Sequence, residues 1–198
     1  MAANAQIPKR IYRLKVSLRD IKPPIWRKLE VPAELSLGQL HRVLQIAMGW
    51  TDTHLHQFEH DGVWYGARGA GADMEVQNEQ RTRLAELIQR PKERLRYEYD
   101  FGDGWEHDIV LEAVVDSTPG VRYPRVINGA RACPPEDVGG PPGYQLFLEA
   151  IADPRHPEHR EFMEWCGGRF DAVAFHLEEI NAALSPGNSR SKLRLLPD

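Results

Sequence analysis

Histidines at alternating positions are the residues of this sequence best spaced to do chemistry. In "HLHQFEH", His54, His56 and His60 share one parity with Phe58, and on a strand residues two apart emerge on the same face. An HxH pair so placed offers two neutral imidazoles to one divalent ion. Further ligands stand elsewhere in the chain as His107, Asp103, Glu136, Asp137 or Cys133. Three protein ligands and an open position make up a catalytic metal site. The set therefore describes a metal-dependent hydrolase-like enzyme using His54, His56 and His107, with Asp103 or Glu136 as ligand or base. The competing reading is structural, because histidines beside a phenylalanine on a half-buried strand are commonly packed and hydrogen-bonded rather than metallated.

The other candidates carry equally plain alternatives. His107, in "YDFGDGWEHDIVLE", is in register with Trp105 and Ile109, which suits an imidazole at the core edge with a backbone or carboxylate partner. Asp103 stands between two glycines, the composition of a tight turn. Cys133 precedes two prolines and two acids, surroundings that raise a thiol pKa and disfavour a nucleophile. The P-loop, GxGxxG, GxSxG, HExxH and kinase signatures do not occur, and "VGGPPGY" lacks the lysine that phosphate cradling needs, which argues against a nucleotide enzyme.

Charge and rigidity suggest binding instead of turnover. From Lys9 to Lys28 eight basic residues stand against one acid, Asp20, so Arg13, Lys15 and Arg27 form a candidate surface for an acidic protein partner or for phosphate. The net charge of -4 argues against coating nucleic acid by bulk electrostatics, which ranks DNA below a protein partner. The loop "CPPEDVGGPPGY", with Cys133, Glu136 and Asp137, is a second candidate surface. Proline and glycine hold such a loop in a fixed shape, so less entropy is lost on binding. Two cysteines without CxxC spacing indicate neither a zinc finger nor a disulfide framework. The N-terminus has no apolar signal core and no stretch approaches the roughly 18 apolar residues of a membrane helix. The expectation is a cytoplasmic protein, with no membrane contact and with a divalent metal as its one candidate cofactor.

The elements that must position these residues follow from periodicity. "IYRLKVSL" alternates as a half-buried strand, and after Pro23 and Pro24 a second strand points Ile25, Leu29 and Val31 inward and its basic residues outward. At "SLGQLHRVLQIAMGW" the period becomes helical, with Ser36 and Gln39 in capping-box register and Gly49 as the stop. "HLHQFEH" resumes strand alternation, and Asp61-Gly62 closes a two-residue hairpin into "VWYG". Residues 67–81 read as a loop, with Thr82 capping a short helix through "RLAELIQ". "GDG" then turns a hairpin between the strand of Tyr97, Tyr99 and Phe101 and that of Trp105 to Val115. The Pro/Gly loop leads into helices at "GYQLFLEAIAD", "PEHREFMEWCGG" and, headed by Asp171, "DAVAFHLEEINAAL". This order predicts an α+β fold: an antiparallel-rich mixed sheet with a β-grasp-like strand-strand-helix-strand start and a helical C-terminal third. One domain is expected over residues 8–184, with a frayed tail over 185–198.

Five motifs in fixed order, "IYRLKVSLRDIKPPIWRKLEVP", "LGQLHRVLQIAMGWTDTHLHQF", "YDFGDGWEHDIVLE", "CPPEDVGGPPGY" and "HPEHREFMEWCGGRFD", cover nearly the whole chain. In this order they resemble the plasmid pRi ORF-three-like protein family, whose relatives include TnpR-like accessory proteins of some transposons. The resemblance implies an α+β domain carried on plasmids, transposons and bacterial chromosomes, and it brings no established activity with it. The readings together describe a non-enzymatic interaction or regulatory module associated with mobile elements. The alternatives are the metal-dependent hydrolase-like enzyme and an accessory DNA-binding protein.

Overall fold

Alternation makes the first strand. In β1 (Arg10–Leu18) Tyr12, Leu14, Val16 and Leu18 are buried while Arg13, Lys15 and Ser17 lie on the opposite, polar face, the pattern of a strand with one side on a core. The computed structural model describes residues 10–67 and 76–185. Across them run β2 (Trp26–Pro32), α1 (Leu37–Met48), β3 (His56–His60), β4 (Val63–Gly66), β5 (Val76–Asn78), α2 (Leu84–Leu87), β6 (Arg94–Tyr99), β7 (Trp105–Asp116), β8 (Arg125–Ala130), α3 (Gly140–Ala152), α4 (His159–Trp165) and α5 (Leu177–Leu184). The strands form one eight-stranded sheet in the order β5-β4-β3-β6-β7-β1-β2-β8. Only β4 and β5 pair in parallel. The fold is α+β, with the expected strand-strand-helix-strand start and a helical final third.

The two faces of the sheet differ. One is apolar: Leu14, Leu29, Tyr97, Trp105, Ile109 and Leu111 pack into a cluster with Leu37, Leu40 and Leu44 of α1 and with Tyr144 and Phe147 of α3. The other carries charge pairs across the strands. Arg13 and Arg125 both donate to the Glu30 carboxylate, at 2.7 and 2.6 Å, Lys28 pairs with Glu112 at 2.8 Å, and Arg19 pairs with Glu106. Burial alone would raise the Glu30 carboxyl, but the two guanidinium bonds hold it below its ordinary value. Much of the basic N-terminal stretch is thus matched by acids that come from later strands.

The helix boundaries have readable causes. Ser36 and Gln39 form the expected capping box on α1, and Gly49 ends it in the left-handed conformation with φ 88°. The Asp61-Gly62 turn joins β3 and β4 with both residues at positive φ.

Several expectations need correction. Arg27 does not point outward: it shares the parity of Ile25 and Leu29, is 3 % exposed, and donates to the carbonyls of Ala47, Trp26 and Ala130 and to Cys133 Sγ. A guanidinium can be buried when its donors are met in this way. The helix α2 is a single turn capped at Arg83, while the Thr82 hydroxyl donates to Asn78 O at 3.1 Å. Helix α3 begins at Gly140, so Pro141 and Pro142 occupy its first turn, where a missing N–H costs nothing. Asp171 makes a local turn by accepting the Val173 N–H at 3.0 Å, and α5 starts six residues later than expected, at Leu177. Strand β8 was not expected from "YPRVING"; it lies at the sheet edge, where Gly129 and the preceding proline are tolerated. Within the expected 67–81 loop, residues 76–78 form β5, and residues 68–75 lie outside the described residues, as does the expected tail beyond Ser185. Among the described residues no helix is long and apolar enough to cross a membrane.

Candidate functional site

The "YDFGDGW" turn, the α1–β3 loop and the Pro/Gly loop meet at one end of the sheet. Asp100 follows β6 at φ 58° and organises the turn, its Oδ1 accepting the N–H groups of Gly102 at 3.0 Å and Asp103 at 3.4 Å. Its own N–H donates to Leu55 O at 2.8 Å, which ties in the α1–β3 loop. Asp103 Oδ2 accepts the Gly139 N–H at 3.2 Å. At Gly140 (φ +67°) a Cβ would fall 2.2 Å from Asp103 O, so both the conformation and the close approach require glycine. Further ties run from Trp50 Nε1 to Pro134 O at 3.0 Å and from the Thr51 N–H to Glu136 Oε2 at 3.2 Å. The Thr51 and Tyr99 hydroxyls also donate to Glu136. Burial, with Glu136 beside it, pushes the Tyr99 phenol well up.

His54 sits where these loops converge. Its Nδ1 lies 3.6 Å from Asp100 Oδ2 and its Nε2 lies 3.2 Å from Asp137 Oδ1. Donor atoms of His54, Asp100 and Asp137 all fall within 4.8 Å of one another. Asp100 is 7 % exposed, and Asp137 stands in solvent. Leu55 and Phe101, on either side of the Asp100–Leu55 bond, are both exposed.

His56 belongs to different surroundings. Its Nε2 bonds the buried Glu79 at 2.7 Å, and its ring stacks on His41 of α1 with centroids 3.4 Å apart and planes within 5°. His41 closes a ring of hydrogen bonds. Its Nε2 bonds Asp52 Oδ1 at 2.8 Å and its Nδ1 bonds the Tyr97 hydroxyl at 2.8 Å; Gln45 donates to that hydroxyl at 3.0 Å and accepts the Asp52 N–H at 3.1 Å. A carboxylate only accepts, so in the neutral ring Nε2 carries the proton and Nδ1 accepts from Tyr97. Burial first, and His56 next, lower the His41 pKa, which keeps that ring neutral. Burial would raise Glu79, but its bond from His56 holds it below the ordinary value.

Donor atoms of His41, Asp52 and His56 also fall within 4.8 Å. The stack nevertheless argues against an ion shared by both rings. An imidazole lone pair lies in the ring plane, and parallel planes 3.4 Å apart cannot both contain one ion.

The predicted ligand set is therefore divided. His54 meets Asp137 and a residue not singled out before, Asp100, whereas Asp103 and Glu136 serve as ties between loops. His60 shares the parity of Phe58 at the end of β3 and lines a groove of about 460 Å³ with Trp64, Arg94, Arg96 and Asp108. His107 is fully buried, its Nδ1 bonded to Tyr97 O at 3.3 Å and its ring edge-on to Trp50; burial lowers its pKa to about 4, the backbone bond opposing. Burial pushes the Cys133 thiol up against the opposing Arg27 guanidinium, and Met48 Sδ lies 3.4 Å away. Burial of the thiol, rather than nearby acids, is what disfavours it as a nucleophile. On the basic surface Arg13 is held by Glu30, Lys15 Nζ lies over the Trp26 ring at 5.5 Å, and Arg27 is interior.

Two of the missed residues left signals. His41 lies four residues after Leu37 and three before Leu44, on the buried stripe of α1. Asp100 directly follows a strand, two residues before a glycine, the spacing at which an aspartate caps a turn. Glu79 lies in the segment read as loop and gave no periodic signal.

Comparison with known proteins agrees with this architecture. The family model for plasmid pRiA4b ORF-3-like proteins matches residues 10–179. The chain is 40 % identical over 176 residues to uncharacterized protein y4hQ of Sinorhizobium fredii (strain NBRC 101917 / NGR234), covering 88 % of this chain and 90 % of that one. It is also similar to the crystal structure of the protein of unknown function MM3350 from Methanosarcina mazei Go1. The TM-score is 0.79 at 34 % identity, over 86 % of this chain and 97 % of that one. With the family model spanning nearly all of the described residues and relatives matching along almost their full lengths, the chain belongs to the plasmid pRiA4b ORF-3-like protein family.

Proposed function

We propose that the chain is a cytoplasmic, non-enzymatic interaction module that docks a protein partner with the loop end of its sheet. One observation carries the reading. Loops from three parts of the chain are tied to one another by N–H bonds from Asp100 to Leu55 O, from Gly139 to the Asp103 carboxylate and from Thr51 to the Glu136 carboxylate, and they hold Leu55 and Phe101 exposed on the surface so formed. A surface assembled before binding loses less conformational entropy when a partner arrives, and exposed apolar groups supply the contact. The plasmid-borne namesake of the family supports a setting in mobile-element biology.

The basic strands support the role less well, because Arg27 is interior and Arg13 is already engaged by Glu30. The same pairing weakens a DNA-binding reading, since counterion release needs free cations. The hydrolase reading loses its shared ligand set, His54, His56 and His107 having separate surroundings.

The test is retention of proteins from a lysate of the native host by the immobilised chain and by its Leu55→Asp/Phe101→Asp variant, with equal melting temperatures as the folding control. A protein held by the first and lost by the second is expected. Equal retention by both, or loss on Lys15→Glu instead, would overturn the reading.

A further inference from the structure

A plain ion pair accounts poorly for His54. Its Nε2 is sealed from solvent and makes no hydrogen bond, although Asp137 Oδ1 is 3.2 Å away. Its Nδ1 lies 3.6 Å from Asp100 Oδ2, beyond hydrogen-bond reach. Buried polar atoms without partners are uncommon and call for an explanation. Asp100 sharpens the point: its side chain is nine-tenths buried, at 10 % exposure, and the turn amides of Gly102 and Asp103 hold Oδ1, which leaves Oδ2 aimed at the imidazole.

We propose that His54, Asp100 and Asp137 bind one divalent transition-metal ion of the Zn2+ or Mn2+ class. An ion with bonds of about 2.1 Å holds neighbouring ligand atoms roughly 3.0 to 3.4 Å apart. The 3.2 Å separation of His54 Nε2 and Asp137 Oδ1 falls in that range, and the whole set lies within 4.8 Å. One imidazole nitrogen with two carboxylates selects this class of ion, since imidazole is a poor ligand for Mg2+ and Ca2+. The amides on Asp100 Oδ1 play the orienting part that outer hydrogen bonds play around a metal ligand.

The ion joins the α1–β3 loop, the β6–β7 turn and the β8–α3 loop through one ligand each. Because Asp137 stands in solvent, the remaining coordination positions face outward, beside Leu55 and Phe101. An acidic side chain or phosphate on a partner is the ligand those positions would take. That use rests on the proposed docking function, whereas the ion site stands on donor geometry alone.

The test is calorimetric titration of ZnCl2 and of MnCl2 into the full, untagged chain stripped with EDTA, which needs no partner and so separates failure of the site from failure of the docking reading. About one ion per chain is expected for at least one of the two metals. Asp137→Asn, an exposed change that leaves the fold intact, and Asp100→Asn, which keeps an oxygen for the turn amides, should each weaken binding by about ten-fold or more. Asp52→Asn, in the neighbouring histidine cluster, should leave it unchanged. No binding by the parent chain, equal affinity in Asp137→Asn and Asp100→Asn, or loss in Asp52→Asn would overturn the assignment.

Discussion

Replacing Gly140 by alanine tests the close approach that joins the Pro/Gly loop to the hairpin turn, and Gly104 supplies the control. The two glycines have nearly the same backbone conformation, φ +67° and φ +69°, but a Cβ at Gly140 would meet Asp103 O at 2.2 Å while one at Gly104 meets nothing within 4 Å. The left-handed conformation alone costs an alanine roughly 1 kcal/mol at either position. At Gly140 the contact must also open by about 1 Å to reach ordinary van der Waals range. That shift strains the Gly139–Asp103 hydrogen bond beside it, for a further loss of about 1 to 2 kcal/mol. Gly140→Ala should therefore cost about 2 to 3 kcal/mol and Gly104→Ala about 1 kcal/mol. With a urea slope of about 2 kcal/mol/M, the unfolding midpoint should fall by about 1 to 1.5 M for the first and about 0.5 M for the second. Equal midpoints for the two variants would show that the loops do not touch as described, and the reasoning would fail.

Acid should destabilise the protein through His107. Its folded pKa is lowered to about 4 from 6.5, so the unfolded state takes up the proton first, and stability is lost as pH falls from about 6.5 to about 4, by roughly 3 kcal/mol in all. Urea unfolding across that range, repeated on His107→Gln, should show the loss and its reduction, and an imidazole NMR titration near 6.5 would contradict it. Arg27→Ala should cost about 3 kcal/mol by stranding buried carbonyls, whereas Lys15→Ala should cost under about 1 kcal/mol; thermal melts of both distinguish an interior from a surface cation. Tyr97→Phe removes the hydroxyl shared by His41 and Gln45 and should cost about 1 to 3 kcal/mol in denaturant unfolding; a neutral result would mean the ring of bonds is not closed.

The features legible in the sequence are those in which one local pattern decides the outcome. Ser36, Gln39 and Gly49 delimit α1 through their own caps, and Asp61-Gly62 needs only its neighbours to turn. Alternation places Leu14 and Ile109 inward by parity alone. Parity also places Arg27 inward, and reading charge ahead of parity sent it to the surface; its burial depends on carbonyls about 20 and 103 positions away in the chain. The histidine run misled for a related reason. The strand begins only at His56, so His54 and His56 turn to different surroundings despite their spacing. The flanking glycines mark Asp103 as a turn residue, but the turn is organised from its first residue, Asp100. Strand β8 and the proline-bearing start of α3 depend on an edge position and on the Asp103 contact, which come from the rest of the fold.

Three loops far apart in sequence meet as one preassembled surface around His54. Amide hydrogen exchange followed by NMR tests it most directly, because one backbone N–H crosses each junction: Thr51 to Glu136, Asp100 to Leu55 and Gly139 to Asp103. Slow exchange is expected at all three in the free protein, with protection at all three falling together in Gly140→Ala. Rapid exchange in the parent chain, or loss at Gly139 alone in the variant, would contradict it.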